Sequence, residues 1–338
     1  MEINMNLQLF AENVNVTTDA GLSAENKSFY DRALLEEASA NLVHNQFGQK
    51  RPIPKNGGKR IEFRRYAALP KATQPLTEGV TPNGRKMSVT NVEAEVRQYG
   101  DYVCLSDVLD LTAIDNNVLE ATRAVGHQAG LTLDTITRNV LQSGTNVYYC
   151  PKRDASGKET PVSDRSGLDG SCVLTVDTVK RIAAMLKAVN APKFGDNYVC
   201  ILHPYVAYDI MSDPRWEQMH QYCKTENQFE GEIGRIAGVR FVETSEAAVY
   251  TGTENDCPNG LAVFGCLFLA NDAYGVTEVT GGGLQTIIKQ LGSAGTADPL
   301  NQRSTVGWKA LQTAEILQQA YMYRVECCSA FSPDAKMN

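Results

Sequence analysis

Histidine is scarce in this sequence, with four in 338 residues, and tryptophan scarcer still at two. That narrows catalysis and metal binding at once, because imidazole is the commonest general acid–base group and a frequent metal ligand. His220-x-x-Cys223 offers two ligands, but a closed zinc site needs four and no second pair stands at suitable spacing nearby. No metal and no cofactor are expected. Positive charge is also in deficit, with 32 Lys and Arg against 39 Asp and Glu and a net charge of −7. This speaks against a free-standing nucleic-acid-binding domain. No run approaches the ~18 apolar residues of a membrane span. The opening MEINMNLQLFAENVNVTT lacks both the basic region and the apolar length of a secretion signal.

Other chemistry is missing as well. Nine cysteines, an odd number, lie between Cys104 and Cys328 without a regular framework, which suits reduced thiols made in a cytosol better than a disulfide scaffold. Cys327 and Cys328 are adjacent rather than C-x-x-C, and in a strand they face opposite ways, so they read as buried thiols. Gly231-x-x-Gly234-x-x-x-Gly238 and Gly281-Gly282-Gly283 do not match G-x-G-x-x-G, and neither leads into the Lys-Ser/Thr of a phosphate loop. They read as turns. Asp209, Asp213, Glu217, Glu243 and Glu246 read as solvated faces in so acidic a chain. No catalytic residue is assigned.

What is present is an ordinary globular composition, 43% hydrophobic and 21% charged, in a chain longer than the ~100–200 residues usual for one domain. After a polar leader, Ser28-x-x-Asp31 predicts a helix running to about Asn45, with Leu35, Ala38 and Leu42 on one face. From Lys50 to about Leu105, Ile61 and Phe63 alternate with charges, as do Val92, Ala94 and Val96, around a middle rich in proline and glycine. This predicts a long two-stranded excursion whose thin apolar content calls for support from a neighbour. Its first part is strongly basic: Lys50, Arg51, Lys55, Lys59, Arg60, Arg64, Arg65 and Lys71 against Glu62 give +7, leaving −14 for the rest.

Val118, Thr122, Val125, Ala129, Leu133, Ile136 and Val140 predict a single long helix over 117–143. Gly126 and Gly130 weaken such a helix by ~1 kcal/mol each relative to Ala unless something packs closely there. Beyond a polar loop at 151–170, Asp177 is the expected cap of a helix to about Asn190. Tyr198–Leu202, ended by His203-Pro204, reads as a buried strand, with further strands at Val239–Val242 and Leu261–Leu269. An apolar, aromatic return segment runs from Gln302 to Phe331. The interleaving predicts an α+β or α/β chain.

Several stretches together resemble one family. They are Asn6-Leu-Gln-Leu-Phe-Ala11, Tyr198-Val-Cys-Ile-Leu-His-Pro-Tyr-Val-Ala-Tyr-Asp209, Gly231-Glu-Ile-Gly-Arg-Ile-Ala-Gly-Val-Arg-Phe-Val-Glu243, Ala273-Tyr-Gly-Val276, Asp298-Pro-Leu-Asn-Gln-Arg-Ser-Thr-Val-Gly-Trp-Lys309, and Ala-Tyr-Met at 320–322. In this order they resemble the major capsid proteins of tailed bacteriophages with the Hong Kong-type capsid fold. Ser304 stands where that family's pattern usually has Gly.

The resemblance implies an α+β fold with an N-terminal arm (1–48), an extended loop lying over a neighbouring subunit (49–104), a peripheral domain with a spine helix (105–170 and 285–338) and an axial domain (171–284). It further implies self-assembly into pentamers and hexamers of an icosahedral shell around double-stranded DNA, with a portal and scaffolding or decoration proteins as partners, and no membrane. Synthesis and assembly would take place in the cytoplasm of a bacterial host. With about 27 residues before the first helix, no protease-removed scaffold domain is expected. Lys59, Arg60, Arg64, Arg65 and Lys71 become candidate inter-subunit contacts, with DNA as the other possible acidic partner. Two other readings stay open at this point: an encapsulin-like nanocompartment shell, and a soluble hydrolase using Cys223 with His220 or His203.

Overall fold

A computed structural model describes residues 31–38, 41–52, 59–66, 69–81, 83–112, 116–154, 156–216, 232–252, 255–258, 260–277, 284–293 and 298–331. The Asn6–Ala11 leader, Lys55, His220, Cys223 and Gly281–Gly283 lie outside these residues. In chain order the elements begin with α1 (residues 31–38), β1 (Gln49–Arg51), β2 (Arg60–Tyr66), β3 (Val89–Glu95), β4 (Arg97–Ser106), α2 (Asp107–Thr112) and α3 (Asn117–Gln142). There follow β5 (Val147–Tyr149), β6 (Lys152–Arg153), β7 (Glu159–Thr160), α4 (Val176–Ala188), β8 (Tyr198–Leu202) and α5 (Pro204–Met211). The remainder is strand: β9 (Glu232–Ile236), β10 (Val239–Glu243), β11 (Ala248–Tyr250), β12 (Val263–Leu269), β13 (Tyr274–Thr277), β14 (Leu284–Lys289), β15 (Arg303–Gln312), β16 (Ala314–Ile316) and β17 (Met322–Cys327).

The chain divides into two compact units, one of residues 1–41, 100–130 and 284–310, the other of 42–99, 131–283 and 311–338. In the first unit, β14, β15 and β4 form a three-stranded sheet in that order. Its α1 lies against the first half of α3, and here the two glycines explain themselves. A Cβ at Gly130 would stand 2.6 Å from the Ala38 carbonyl oxygen, and one at Gly126 3.0 Å from that of Leu34. The helix backbones approach closely here, most tightly at Gly130. The buried α1 residues are Leu34 and Ala38, not Leu35, and the chain has left the helix by Asn41. The expected continuation to Asn45 fails because residues 41–48 turn.

These contacts set the sign of two substitutions. In an isolated helix Gly→Ala gains up to ~1 kcal/mol. At Gly126 that gain should largely offset a contact that yields by a few tenths of an ångström. At Gly130 the 2.6 Å approach to backbone leaves no such room, so Gly130→Ala should release α1. Limited proteolysis should show faster cleavage between residues 31 and 48 in Gly130→Ala than in Gly126→Ala; equal rates would count against this packing.

The second unit is built on a seven-stranded mixed sheet ordered β5-β17-β12-β8-β10-β9, with β11 also paired to β12. Every residue of β8 and of β12 is buried, as continuous apolar runs in central strands require. Val179, Ile182, Ala183 and Leu186 form the buried stripe of α4 and join the same core. Thr175, not Asp177, caps this helix: its side chain accepts from the Thr178 amide, the reach of an N-cap to its third helical residue. Asp177 lies in the first turn and meets Arg181 at 3.1 Å and Arg215 at 3.4 Å. The β8 run ends where His203 caps α5 and Pro204 opens it. The return segment divides: β14 and most of β15 belong to the first unit, whereas β17 pairs with β12 and β5 in the large sheet.

Candidate assembly surfaces

The excursion between β1 and β4 is largely exposed among the described residues of the second unit. Its root is a regular antiparallel hairpin in which Arg60 faces Glu95, Phe63 faces Val92 and Tyr66 faces Val89. Alternation gives the hairpin two faces. Ile61, Phe63 and Ala94 are buried with Leu317, and the Phe63 ring fills the place a side chain would take at Gly275. The root is therefore supported by its own chain, where thin apolar content had suggested a neighbour. The tip is different. Leu69, Leu76, Val80 and Met87 all stand exposed, Leu76 at 77%, in a segment without strand or helix.

The loop's near end is tied down by buried polar groups that the helical pattern of α3 concealed. Inside the second unit, α3 turns Asp134 and Thr137 inward, while Ile136 and Val140 are only half-buried. The Asp134 carboxylate accepts from the His44 amide at 2.7 Å and meets His44 Nδ1 at 2.6 Å, both side chains being fully buried. Tyr274 donates its hydroxyl to the His44 carbonyl, and burial pushes that phenol well above its ordinary pKa. Thr137 donates to Asn45 Oδ1 at 2.5 Å, and Gln312 Nε2 donates to the same Thr137 hydroxyl at 3.1 Å. Sequence periodicity cannot find such a network, because its members are 90 and more residues apart.

The five candidate contact residues separate. Arg65 shares the face of Ile61 and Phe63 and donates to the Leu317 carbonyl at 3.2 Å. Arg60, on the outer face, meets Glu93 at 2.8 Å. Lys59, Arg64 and Lys71 stand exposed, Arg64 opposite Asn91. Reversing Arg64 to Glu should thus impair assembly while leaving the melting of the unassembled subunit unchanged, and the defect should shrink at 1 M salt, where the Debye length is ~3 Å. Reversing Arg65 should lower the melting temperature instead, because a carboxylate would then face the Leu317 carbonyl. Identical behaviour of the two variants would contradict the face assignment.

A second exposed surface, on the first unit, was not foreseen. Val108, Leu109 and Leu111 of α2 are exposed, Leu111 at 84%, as are Tyr102 and Val103 of β4 and Leu300. One signal for it was in the sequence: residues 98–122 contain Asp101, Asp107, Asp110, Asp115 and Glu120 and no basic residue.

Of the histidines considered for chemistry, His203 lies among the described residues. His203 Nδ1 accepts from the Tyr205 amide at 3.2 Å, its ring lies 5.0 Å from that of Phe264, and burial lowers its pKa. Among the described residues, eight cysteines are free thiols, all but Cys104 buried, and no group of three His, Cys, Asp or Glu could hold a metal ion. No described helix is long and apolar enough to cross a membrane.

The hairpin is thus anchored at its root and exposed at its tip. Residues 97–296, more than half of the chain, match the family model described as phage capsid protein, and the chain belongs to that family. Its α+β fold broadly resembles the capsid of Ralstonia phage GP4, with a TM-score of 0.61 and 14% identity over 86% of this chain and 89% of that one. It likewise resembles the capsid of cyanophage P-SCSP1u (TM-score 0.60, 12% identity, 84% and 87% covered). The head structure of Helicobacter pylori bacteriophage KHP40 gives 0.57 and 11%, with 83% and 88% covered. No curated protein matches the sequence. As a member of that family, the protein is a capsid protein.

Proposed function

We propose that copies of this chain close as pentamers and hexamers into an icosahedral shell of the Hong Kong type around the double-stranded DNA of a tailed phage, assembled in the bacterial cytoplasm. In this reading residues 1–48 are the arm, 49–104 the extended loop, 105–170 with 285–338 the peripheral domain and 171–284 the axial domain. A portal occupies one vertex, and scaffolding or decoration proteins assist. The observation that carries the reading is the hairpin, with its root buried at Phe63 and its tip holding four exposed apolar side chains. Such a projection gains burial only on another surface. Repeated at every copy, small contacts sum to a strong particle, since each later contact forms at high effective concentration. The net charge of −7 favours holding DNA by confinement over gripping it.

The reading assigns no turnover. Burial pushes the Cys172 thiol up to about 11 and that of Cys328 up to about 12, the opposite of what a nucleophilic thiolate needs. Electron microscopy of the expressed protein should show closed shells, and native particles should show the high ratio of absorbance at 260 to 280 nm of packaged nucleic acid. Monomers under all assembly conditions would overturn the shell. Native shells with a protein-like ratio would replace the DNA cargo with protein, as in an encapsulin-like compartment.

A further inference from the structure

Inside the second unit, the last turns of α3 enclose with β11 and β17 a cavity of about 600 Å³. Three arginines line it: Arg138 from α3, Arg165 from the loop between β7 and α4, and Arg324 from β17, with Asn139, Gln142 and Tyr250 beside them. Their side chains are only 20%, 17% and 14% exposed, so water screens them little. Two carboxylates oppose them. Glu326, fully buried, pairs with Arg165 and Arg324; Glu246 lies 3.8 Å from Arg138, whose Nη1 donates instead to the Glu246 carbonyl at 2.7 Å. Three guanidiniums against two carboxylates leave one positive charge over. The end of α3 carries about half a negative charge, and its Gln142 carbonyl accepts from Arg324, so the helix offsets only part of the surplus.

We propose that this cavity is an anion site that takes a phosphate group, held by Arg138 and Arg324. Arg165 is already spent on Glu326 and the Asn255 carbonyl, and lies over the Tyr250 ring. The other two have donors to give. Arg138 Nε and Nη2 share one acceptor, Asn139 Oδ1, at 3.3 and 3.2 Å, and Arg324 makes one hydrogen bond among the described residues, to the Gln142 carbonyl. A phosphate presents acceptors to two guanidinium forks at once, which a chloride ion cannot do. The volume lies within the ~300–1,000 Å³ of small-molecule sites, so a phosphate ester fits as well as the free ion. Glu326 tunes the site, because its carboxylate competes with the ligand for Arg324. The site needs only the folded subunit and stands apart from the shell reading.

Inorganic phosphate titrated into the unassembled full-length subunit, at an ionic strength held constant with sodium chloride, should give saturable heat in calorimetry and a melting temperature that rises and then levels off. Exclusion of phosphate from protein surfaces also raises melting temperatures, but that effect neither saturates nor distinguishes variants. Arg138→Gln should weaken binding roughly tenfold or more, the scale of a hydrogen bond to a charged group. Val249→Glu, at an exposed position on the same cavity, should weaken it similarly without removing any side-chain hydrogen bond, and so decides the matter if Arg138→Gln folds poorly. Glu326→Gln should bind phosphate more tightly than the parent while melting lower, because the competing charge is gone. Displacement of inorganic phosphate by a short DNA duplex would identify the genome as the source of the phosphate group; a duplex that does not compete would leave a small anion as the ligand. No saturable binding to the parent, binding unchanged in both Arg138→Gln and Val249→Glu, or binding by Glu326→Gln no tighter than the parent's would overturn the site.

Discussion

Deleting residues 68–86 should leave a folded subunit that forms no closed shells. The root register pairs Tyr66 with Val89, so the deletion leaves Ala67, Met87 and Ser88 as the connection. A three-residue link is one that antiparallel strands accept readily. Everything that anchors the root, Ile61, Phe63, Ala94 and Leu317, is retained. The removed segment contributes no buried side chain and no strand or helix among its described residues, so its loss should shift stability by less than about 1 kcal/mol, as surface changes usually do. Assembly should nevertheless fail, because the segment carries three of the four exposed apolar tip residues, Leu69, Leu76 and Val80. Calorimetry of the unassembled subunit and sedimentation of assembly reactions measure the two halves. Loss of the cooperative melting transition would show that the tip packs within its own subunit.

The largest single-residue effect on stability is expected at Glu326. This carboxylate is fully buried on β17, accepts from Arg165 Nε and Nη2, each at 2.6 Å, and forms an ion pair with Arg324, whose Nε lies 2.9 Å away. The Arg165 guanidinium also lies 3.7 Å from the centre of the Tyr250 ring. Replacing Glu326 with Leu leaves two guanidiniums, 17% and 14% exposed, without their counter-charge. Breaking a buried pair in this way costs about 3–5 kcal/mol, chiefly because the remaining charge is stranded. Thermal denaturation should therefore fall by on the order of 10 °C. Adding Arg165→Met and Arg324→Met should recover a substantial part of the loss, as removing all members of a buried ionic group often does. If the triple variant melts no higher than Glu326→Leu, the penalty lies in packing and not in stranded charge.

Much of the framework was legible because its signals are local. The alternation at Ile61 and Phe63 against Val92 and Ala94 identified the hairpin and its inward face. The run Tyr198–Leu202 and the stop at His203-Pro204 identified β8 and its end; that Pro204 also opens α5 was not read from the sequence. The 117–143 periodicity located α3 to within a residue, while the choice its two glycines left open, weakness or close packing, was decided by α1 lying against them. Where competing local patterns existed, the reading chose wrongly: Asp177 as a cap in place of Thr175, and Leu35 as the buried face of α1 in place of Leu34. Of the candidate contacts, Arg65 could not be told from Arg64 by sequence beyond the fact that they face opposite ways. Which way each faces depends on where Leu317 lies.

The sequence by itself determined the elements whose periodicity outlasts any local ambiguity: the long helix, the alternating hairpin, the buried strands, and the imbalance between a +7 window and a −14 remainder. Hydrogen bonding within a helix and pleating within a strand are short-range, so residue order alone specifies them. Only the tertiary structure decided which polar residues go inside. Asp134 faces inward because His44 arrives from 90 residues away to bond it, and Glu326 is tolerable in a core because Arg165 and Arg324 converge on it. A buried polar group is stable only with its partner present, and that partner's position is a property of the folded chain. The same holds for surfaces: Phe63 and Leu76 are both apolar residues of one excursion, yet Gly275 leaves room for the first and the second stands 77% exposed.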